Sequence, residues 1–596
     1  MTREAVLRLL VASGVAVTIV TEALGALYLL RRGTLLAVWV ALGAGAVLVF
    51  RERLSFRIPR FSALDAVLLA GVAAILVLVA FTAIESPPNS ADAMAYHMPR
   101  VVYWEQAASV SFFPTLYFNQ IMLPPLAEYM MLHTYVLSGG DRWINLVQWL
   151  GFAGSVLAVS LIAQALGAGA RGQVIAAVFC ATIPNGILQA SGAKNECLLS
   201  LWLAAMVYFA LRFSIVEMGL SLGLALMTKG TAYLFAPAML IAIFLPVLRQ
   251  ERNSLLRAAP VVVLCVLTLN GPQYWRNFVF SGSVLGYDSA HGDGFFRWRN
   301  EPLGLRPTVS NLLRNLAVHL GARSPAWNQG VYDFVARVHR RLGIDLNDPG
   351  TTWRWDTFRP PVNSNHEADA PNRWQLLLLG AAAFLLPRGP RRWLWYYLGI
   401  VLAFGLFCFY LKWMPWMARL HLPLFVLASP IAGLLAENVL PVLPQAALCL
   451  LLLNNSRPYV LENWTRPLKG PRSVLRTARN NNYFSDMTPW NNQATYLKTV
   501  DLVRRSGCRD IGIDIRYFAL EYPLQVLLRQ AVPGARFIHT GVHNASSRYH
   551  PDPAMEPCAV VCLDCAWHDE TIALYRGLGE SETVDRFALF LRRAKQ

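Results

Sequence analysis

The chain has 596 residues, of which 55% are hydrophobic and 15% are charged, and its formal net charge is +17. This composition excludes a soluble globular protein and indicates a polytopic membrane protein. The charge does not indicate nucleic-acid binding, because much of it is arginine in short loops beside apolar segments, as the positive-inside rule describes. We therefore expect a lipid bilayer, and no nucleic acid, among the partners.

Apolar segments of roughly membrane-spanning length recur between residues 5 and 454. A transmembrane helix needs about 20 mostly apolar residues, and somewhat fewer in a crowded bundle. The predicted fold class is therefore a polytopic α-helical membrane protein with about 11–13 transmembrane helices. The candidate segments are 5–30, 34–50, 63–84, 143–166, 172–190, 197–213, 217–228, 231–248, 256–271, 374–387, 393–411, 419–436 and 438–454.

The pattern divides the chain into four units. The last unit alternates helical and strand periodicities, which predicts a small α/β domain. The unit before it is rich in Asn, Pro and Arg and reads as a linker. The units are N-terminal transmembrane helices in 1–62, the main transmembrane module in 63–454, the linker in 455–493 and the α/β domain in 494–596.

Two long loops interrupt the transmembrane module, at 85–142 and 272–373. In the first loop, residues 121–133 predict an amphipathic helix that lies along the membrane surface. The second loop is rich in Trp, Arg and Pro, a composition that suits a structured cap at the level of the lipid headgroups.

Arginines mark alternate loops and so predict the orientation. With a cytoplasmic N-terminus, both long loops and the α/β domain face outward, and only Arg31 and Arg32 break the pattern. The chain is then a multi-pass protein of a bacterial cytoplasmic membrane with an extracytoplasmic C-terminal domain. The inner-loop arginines are Arg51, Arg53, Arg57, Arg60, Arg171, Arg212, Arg249, Arg252, Arg257, Arg388, Arg391 and Arg392.

Four cysteines lie in the C-terminal domain, at Cys508, Cys558, Cys562 and Cys565. Outside the membrane they could form up to two disulfides or remain thiols. Zinc is a weaker alternative, because one C-x2-C spacing has no matching partner pair.

Asp92 is the first candidate site residue, in a loop that also contains Glu85. A carboxylate at a membrane surface can deprotonate an acceptor hydroxyl or amine, or bind a divalent cation such as Mn²⁺ or Mg²⁺. The alternative is a polar residue that only marks where the helix leaves the lipid.

Further charged residues collect at the same predicted face. Lys194 and Glu196 follow the fifth span, and Lys229 lies between two apolar segments, where a lone ammonium needs an anion. Cations at this face would neutralise a phosphate leaving group while an acid activates the acceptor.

In order, these motifs resemble those of GT-C fold glycosyltransferases, the polytopic enzymes that use polyprenyl-phosphate sugars. The resemblance is greatest to bacterial relatives of protein O-mannosyltransferases and aminoarabinose transferases, and it covers residues 60–440. It rests on Ala91–Arg100, Pro124–Tyr129, Lys194–Glu196, Thr228–Lys229, Gly271–Asn277 and Arg419–Pro423.

The resemblance implies that Asp92 is the catalytic carboxylate and Glu196 a second acidic site residue. Some members of the family need a divalent cation and others do not. The chain departs from the family in having three spans, not one, before the first outer loop, and a single Asp92 where an acidic pair is common. The residues predicted to bind substrate or lipid phosphate are Glu85, Tyr96, His97, Arg100, Lys194, Lys229, Arg276, Asn277, Arg419 and His421.

The predicted activity is transfer of a sugar from a polyprenyl-phosphate donor to a protein, lipid or polysaccharide acceptor, with inversion and with Asp92 as base. One alternative is a transporter or flippase for a lipid-linked anionic substrate, which would more often show internal repeats and broken helices at the bilayer midplane. A ligase or polymerase of lipid-linked glycans shares the donor class and stays open.

Overall fold

The computed structural model describes residues 2–50, 62–286, 298–487, 491–515, 518–549 and 555–592. The predicted inner-loop arginines Arg51, Arg53, Arg57 and Arg60 lie outside these residues.

The first half of the chain is a bundle of helices, with a π-helical turn at Ala93–His97. The α-helices are α1 Arg3–Ala26, α2 Arg32–Phe50, α3 Ala63–Glu85, α4 Met98–Ala107, α5 Leu126–Ser138, α6 Leu146–Ala165, α7 Ala170–Ala181, α8 Pro184–Gln189, α9 Glu196–Leu211, α10 Ile215–Thr228 and α11 Ala232–Phe244.

The second half completes the bundle and adds the C-terminal domain. Its helices are α12 Leu248–Ser281, α13 Leu305–Ala317, α14 Pro325–Leu342, α15 Arg373–Leu385, α16 Arg391–Tyr410, α17 Met417–Leu420, α18 Leu422–Val439, α19 Val442–Leu461, α20 Arg479–Asn482, α21 Gln493–Ser506, α22 Glu521–Ala531 and α23 Asp569–Tyr575. Its strands are β1 Asp510–Asp514, β2 Arg536–His539, β3 Ala559–Cys562, β4 Gly579–Val584 and β5 Phe587–Arg592.

Each predicted apolar segment coincides with a helix, which confirms a polytopic α-helical membrane protein. The segment 172–190 is divided into α7 and α8, because Pro184 begins a new helix. Of the described helices, six are long and apolar enough to cross a membrane, and four shorter ones are apolar. The count of 11–13 crossings stays a prediction. The six are Arg3–Ala26, Ala63–Glu85, Leu146–Ala165, Ala232–Ser281, Arg391–Tyr410 and Leu422–Val439.

Helix α9 runs through the centre of the bundle, and every residue from Glu196 to Ala210 is buried. Helix α6 approaches it closely at Gly151, where an added Cβ would lie 2.6 Å from the backbone carbon of Cys197. Small residues allow such close backbone packing between membrane helices. Glu196, in the first turn of α9, is thereby held at the middle of one end of the bundle.

The helix predicted over residues 121–133 is observed as α5, but it packs inside the protein and does not lie along the membrane surface. Helix α5 is buried along most of its length, from Leu126 to Val136. Tyr129 donates a hydrogen bond to Glu22 of α1 (2.6 Å), and Tyr135 accepts one from Arg529 of the C-terminal domain (3.1 Å). The apolar face therefore packs against protein on both sides, not against lipid.

The C-terminal unit is the predicted α/β domain. Its five strands have the order β2-β1-β3-β5-β4, with β1 parallel to β2 and β3, and β5 antiparallel to its neighbours. Disulfides join Cys508 to Cys558 and Cys562 to Cys565.

The C-terminal domain is fixed to the first long loop. Tyr103 donates to Glu521 (2.6 Å), and the Gln106 side chain bonds both backbone groups of Phe537 (2.8 and 2.9 Å). We call the end of the bundle that carries this domain the domain end. The α1–α2 turn also lies there, since Leu30 N–H donates to Ala108 C=O (3.2 Å).

The predicted linker, residues 455–493, begins as ordered and buried structure. Helix α19 continues to Leu461, past the predicted start of the linker at 455. Beyond it, Asn463, Thr465 and Arg466 are fully or almost fully buried. These residues form part of the protein interior at the domain end, which places Arg466 within reach of the candidate site.

Candidate active site

Asp92 lies at the domain end, immediately before the π-helical turn. Helix α3 ends at Glu85, and Pro87 and Pro88 then prevent its continuation. Asn89 holds the returning chain by donating to the backbone carbonyls of Thr465 (2.9 Å) and Asn482 (2.8 Å). These contacts fix the position from which Asp92 projects.

The Asp92 carboxylate is paired with Arg419, whose Nη1 lies 2.6 Å from Asp92 Oδ2. Arg419 comes from the short helix α17. Burial alone would raise the pKa of Asp92, but the charges of Arg419 and Lys194 hold this pKa below its usual range. Asp92 is therefore ionised at neutral pH and able to accept a proton.

Glu196 lies near Arg419, the partner of Asp92, and it also pairs with a second cation, Lys229. Arg419 Nε lies 3.9 Å from Glu196 Oε1, and Lys229 Nζ lies 2.9 Å from the same oxygen. Lys229 also donates to Asn195 Oδ1 (2.9 Å). The two predicted acids and two of the predicted cations thus meet at one place, although they come from four separate segments.

Lys194 is turned into the protein, toward Glu367. Lys194 Nζ lies 2.5 Å from Glu367 Oε1, and Arg466 contacts the other oxygen of the same carboxylate. Arg466 also donates to Asn89 Oδ1 (2.8 Å) and Ser191 Oγ (3.1 Å). The side chains of Lys194, Glu367 and Arg466 are at most 2% exposed, so they form a buried ionic group next to the Asp92–Arg419 pair.

We call the whole group the charge cluster. It contains four cations and three carboxylates and so carries one excess positive charge. Arg419 and Lys229 keep 13% and 19% of their side chains exposed, whereas Lys194 and Arg466 are buried. The members of the charge cluster are Asp92, Lys194, Glu196, Lys229, Glu367, Arg419 and Arg466.

Tyr96 and His97 lie in the π-helical turn that begins immediately after Asp92. Such turns are frequent at functional sites. His97 Nδ1 lies 3.0 Å from Glu128 Oε1, and Arg100 Nη1 lies 3.3 Å from the same atom. Within the described part of the chain, His97 Nε2 is buried without a hydrogen-bond partner. His97 and Arg100 therefore share the buried carboxylate of Glu128.

Four predicted site residues lie apart from the charge cluster. Glu85 forms an exposed pair with Arg142 (2.8 Å). Arg276 binds Glu22 of α1 (2.7 Å), and Asn277 donates to nearby backbone carbonyls. His421 is bonded to His319, with 2.9 Å between His421 Nδ1 and His319 Nε2.

Glu367, Arg466 and Glu128 were not predicted as site residues. The first two lie in irregular polar segments where no spacing or motif distinguishes them. Glu128 was within reach of prediction, because it belongs to the Pro124–Tyr129 motif and is an acid in an otherwise apolar run.

The side chains at Asp92 do not fit a divalent cation. Among the described residues no group of three or more His, Cys, Asp or Glu side chains is arranged to hold a metal ion. Asp92 and Glu196 each already bind a cationic side chain, and hard cations require several oxygen ligands. Dependence on Mn²⁺ or Mg²⁺ stays an untested prediction, and no step below uses a metal.

No protein-family model and no curated protein sequence matches the chain. Among solved structures, the chain is similar to ArnT from Cupriavidus metallidurans bound to undecaprenyl phosphate, with a TM-score of 0.54 and 13% identity over 90% of this chain and 99% of that one. The apo state of the same ArnT gives a TM-score of 0.50 and 14% identity over 89% and 98%. The chain therefore has the fold of ArnT, as the sequence resemblance predicts.

Proposed function

We propose that this protein is a membrane glycosyltransferase that moves a sugar from a polyprenyl-phosphate donor to an acceptor, with the charge cluster as its active site. The observation that carries the proposal is the sharing of Arg419 by Asp92 and Glu196, in a fold similar to that of an ArnT crystallised with undecaprenyl phosphate. This arrangement combines a proton acceptor with cations that can hold a leaving phosphate.

The donor phosphate would bind at Arg419 and Lys229. These two cations are the partly exposed ones, and the buried cations behind them carry the cluster's one excess positive charge. Lys194 and Arg466 share the single carboxylate of Glu367, and they would act as support for the first two. Preorganised cations of this kind stabilise charge that develops on a leaving group.

Asp92 would act as the base. The acceptor hydroxyl or amine gives its proton to the Asp92 carboxylate and attacks the anomeric carbon. The bond from that carbon to the phosphate oxygen breaks, and the lipid phosphate departs with the electron pair toward Arg419 and Lys229. Attack opposite to the leaving phosphate inverts the anomeric configuration.

Arg419 could couple donor binding to base strength. While Arg419 binds Asp92, its charge lowers the proton affinity of the carboxylate. A donor phosphate competes for the same guanidinium, and an Asp92 released from it becomes a stronger base. The strongest base would then form only when donor is present.

The domain end would face the outside of a bacterial cytoplasmic membrane, with the N-terminus in the cytoplasm. This orientation rests on the arginines of the short loops. Arg171 binds Asp65 near the start of α3, and the Arg392 side chain lies beside Gly167, so these arginines collect at the end opposite the charge cluster.

A transporter or flippase of a lipid-linked anion is a weaker proposal. Such proteins bind their substrate near the bilayer midplane. The charge cluster lies at the domain end, and the helix below Glu196 is apolar and buried on all sides. A ligase or polymerase of lipid-linked glycans would use the same donor class, and only its product would distinguish it from the proposed glycosyltransferase.

The test is a transfer assay in proteoliposomes with a panel of polyprenyl-phosphate sugars, with and without Mn²⁺ or EDTA. Wild type should consume one donor, and Asp92→Asn should remain folded and membrane-inserted but inactive. Normal turnover by Asp92→Asn would contradict the proposal. Transport of donor without breakage of its sugar–phosphate bond would favour the flippase.

A further inference from the structure

A cavity of about 490 Å³ lies beside the loop that carries Glu367. It is bounded by the start of α15, the end of α19 and the loop residues around 321 and 363–365. Its volume falls within the range of about 300–1,000 Å³ that is usual for small-molecule sites. None of its lining residues belongs to the charge cluster.

The walls of this cavity are tied together by hydrogen bonds. Trp464 N–H donates to the Asn365 carbonyl (3.1 Å), which joins the loop to the chain after α19. Arg373 Nη1 donates to the Gly321 carbonyl (3.2 Å), which joins the start of α15 to the loop at residue 321. Hydrogen bonds thus connect the separate segments that line the cavity.

Cations outnumber acids in its lining. The lining contains two arginines, Arg323 and Arg373, and one carboxylate, that of Glu462. Within the described residues, the Arg323 side chain has no hydrogen bond or ion pair, and it is exposed. A guanidinium without a counter-ion at the wall of a cavity favours an anion, and its planar fork suits phosphate or carboxylate.

The remaining lining is of the kind that binds sugar hydroxyls. Asn363 and Asn455 present amides with both donors and acceptors, and Trp374 presents an indole that is 45% exposed. The Arg373 guanidinium lies 5.4 Å from the centre of the Trp374 ring. A phosphate group alone would use the arginines and leave the amides and the indole without a role.

We propose that this cavity, the saccharide pocket, binds an anionic saccharide such as a sugar phosphate or a uronic acid. We further infer that this saccharide is part of the acceptor, a step that rests on the proposed function. The loop supports the link, because Asn365 lines the saccharide pocket while Glu367, two residues later, holds Lys194 in the charge cluster.

Isothermal titration of the full chain in detergent tests the binding. The probes are glucose 6-phosphate, glucose, inorganic phosphate and a short-chain phosphatidylglycerol. Glucose 6-phosphate should bind about tenfold more tightly than glucose or phosphate, because it uses both the arginines and the amides. Arg323→Gln should weaken that binding about tenfold, and Trp374→Ala should weaken it as well. Arg337→Gln, an exposed arginine of α14, is the matched control.

Other results would overturn the saccharide pocket. Equal affinity for inorganic phosphate would indicate a simple anion site, and tighter binding of phosphatidylglycerol would indicate a lipid headgroup site. Binding that Arg323→Gln leaves unchanged would lie elsewhere, and absence of binding by every probe would remove the proposal outright.

The saccharide pocket and the proposed transfer can fail separately. Asp92→Asn should bind glucose 6-phosphate like wild type, since Asp92 is not part of the saccharide pocket. If no donor is consumed by wild type but Arg323-dependent binding persists, the transfer proposal fails and the pocket stands. If transfer occurs and Arg323→Gln leaves the KM for the acceptor unchanged, the acceptor inference fails.

Discussion

Arg419 reaches Asp92 across 327 positions of sequence, and its Nη1 donates to Asp92 Oδ2 at 2.6 Å. The pair joins the first long loop to the segment that precedes α18. Because Arg419 also lies near Glu196, one side chain connects both predicted acids. Its loss would remove a phosphate ligand and release Asp92 at the same time.

Arg419→Gln should therefore lower the rate of transfer about 100- to 1,000-fold, the usual effect of removing one preorganised group that stabilises a transition state. The kcat should fall more than the KM rises, because Lys229 still offers one cation to the donor. Arg142→Gln and Glu85→Gln are matched controls, since their exposed pair lies apart from the charge cluster. Rates in these controls should equal that of wild type, and a comparable loss in either would restore Glu85 to the site.

Glu367 is the residue on which the stability of the charge cluster depends. Arg466 and Lys194 hold the pKa of Glu367 well below its usual range, against the effect of burial. Glu367→Gln leaves two buried cations without a counter-ion, and breaking a buried ion pair costs about 3–5 kcal/mol of folding free energy. The measurement is the free energy of unfolding in mixed micelles.

Two further variants identify the cause. Lys194→Met added to Glu367→Gln should recover part of the loss, because it removes one unneutralised cation. Asp501→Asn breaks an exposed pair with Arg505 and should have no measurable effect. If Glu367→Gln is as stable as wild type, the buried group does not support the cluster.

The helices and part of the charge cluster could be predicted from the sequence because both follow from local pattern. An apolar run in a membrane protein has few options besides a helix. Asp92, Glu196, Lys229 and Arg419 each adjoin such a run, and alternation of the runs then assigns them to one end of the bundle. The small C-terminal sheet was similarly visible in the alternation of residues 510–515.

The ion-pair partner of each charged side chain could not be predicted from the sequence, because it depends on how the helices pack. Arg276 was assigned to lipid phosphate, yet it binds Glu22, and that contact exists only because α1 packs against α12 and α5. Helix α5 shows the same limit. Its helical period predicts an apolar face, but nothing in the period says whether lipid or protein covers that face.

The Cys508–Cys558 disulfide should stabilise the C-terminal domain. It closes a segment with a sequence separation of 50, for which the chain-entropy relation gives about 4 kcal/mol as an upper value. The double variant Cys508→Ser, Cys558→Ser should lower the unfolding midpoint of the domain and raise its sensitivity to protease. Cys562→Ser, Cys565→Ser is the matched control, because a separation of 3 restricts the unfolded chain far less. Equal loss from both double variants would contradict the loop-length explanation.

His366 should make the stability of the domain end depend on pH. Its Nε2 lies 3.2 Å from Asp486 Oδ1, and Asp486 also accepts from the backbone N–H of Ala91, next to Asp92. Burial opposes the charged imidazole, but Asp486 outweighs burial and raises the pKa of His366 above its usual value.

A pKa that is higher in the folded state than in the unfolded state fixes the direction in which folding stability changes with pH. The contribution of His366 is complete below a pH of about 6.5, the ordinary histidine value, and it is lost as the pH rises through the raised pKa. The melting temperature should therefore fall between pH 6 and pH 8 in wild type. His366→Asn should flatten this part of the profile, and the exposed control His568→Asn should keep it. A wild-type melting temperature that rises over this interval, with His366→Asn following it, would show that His366 and Asp486 do not form a charged pair.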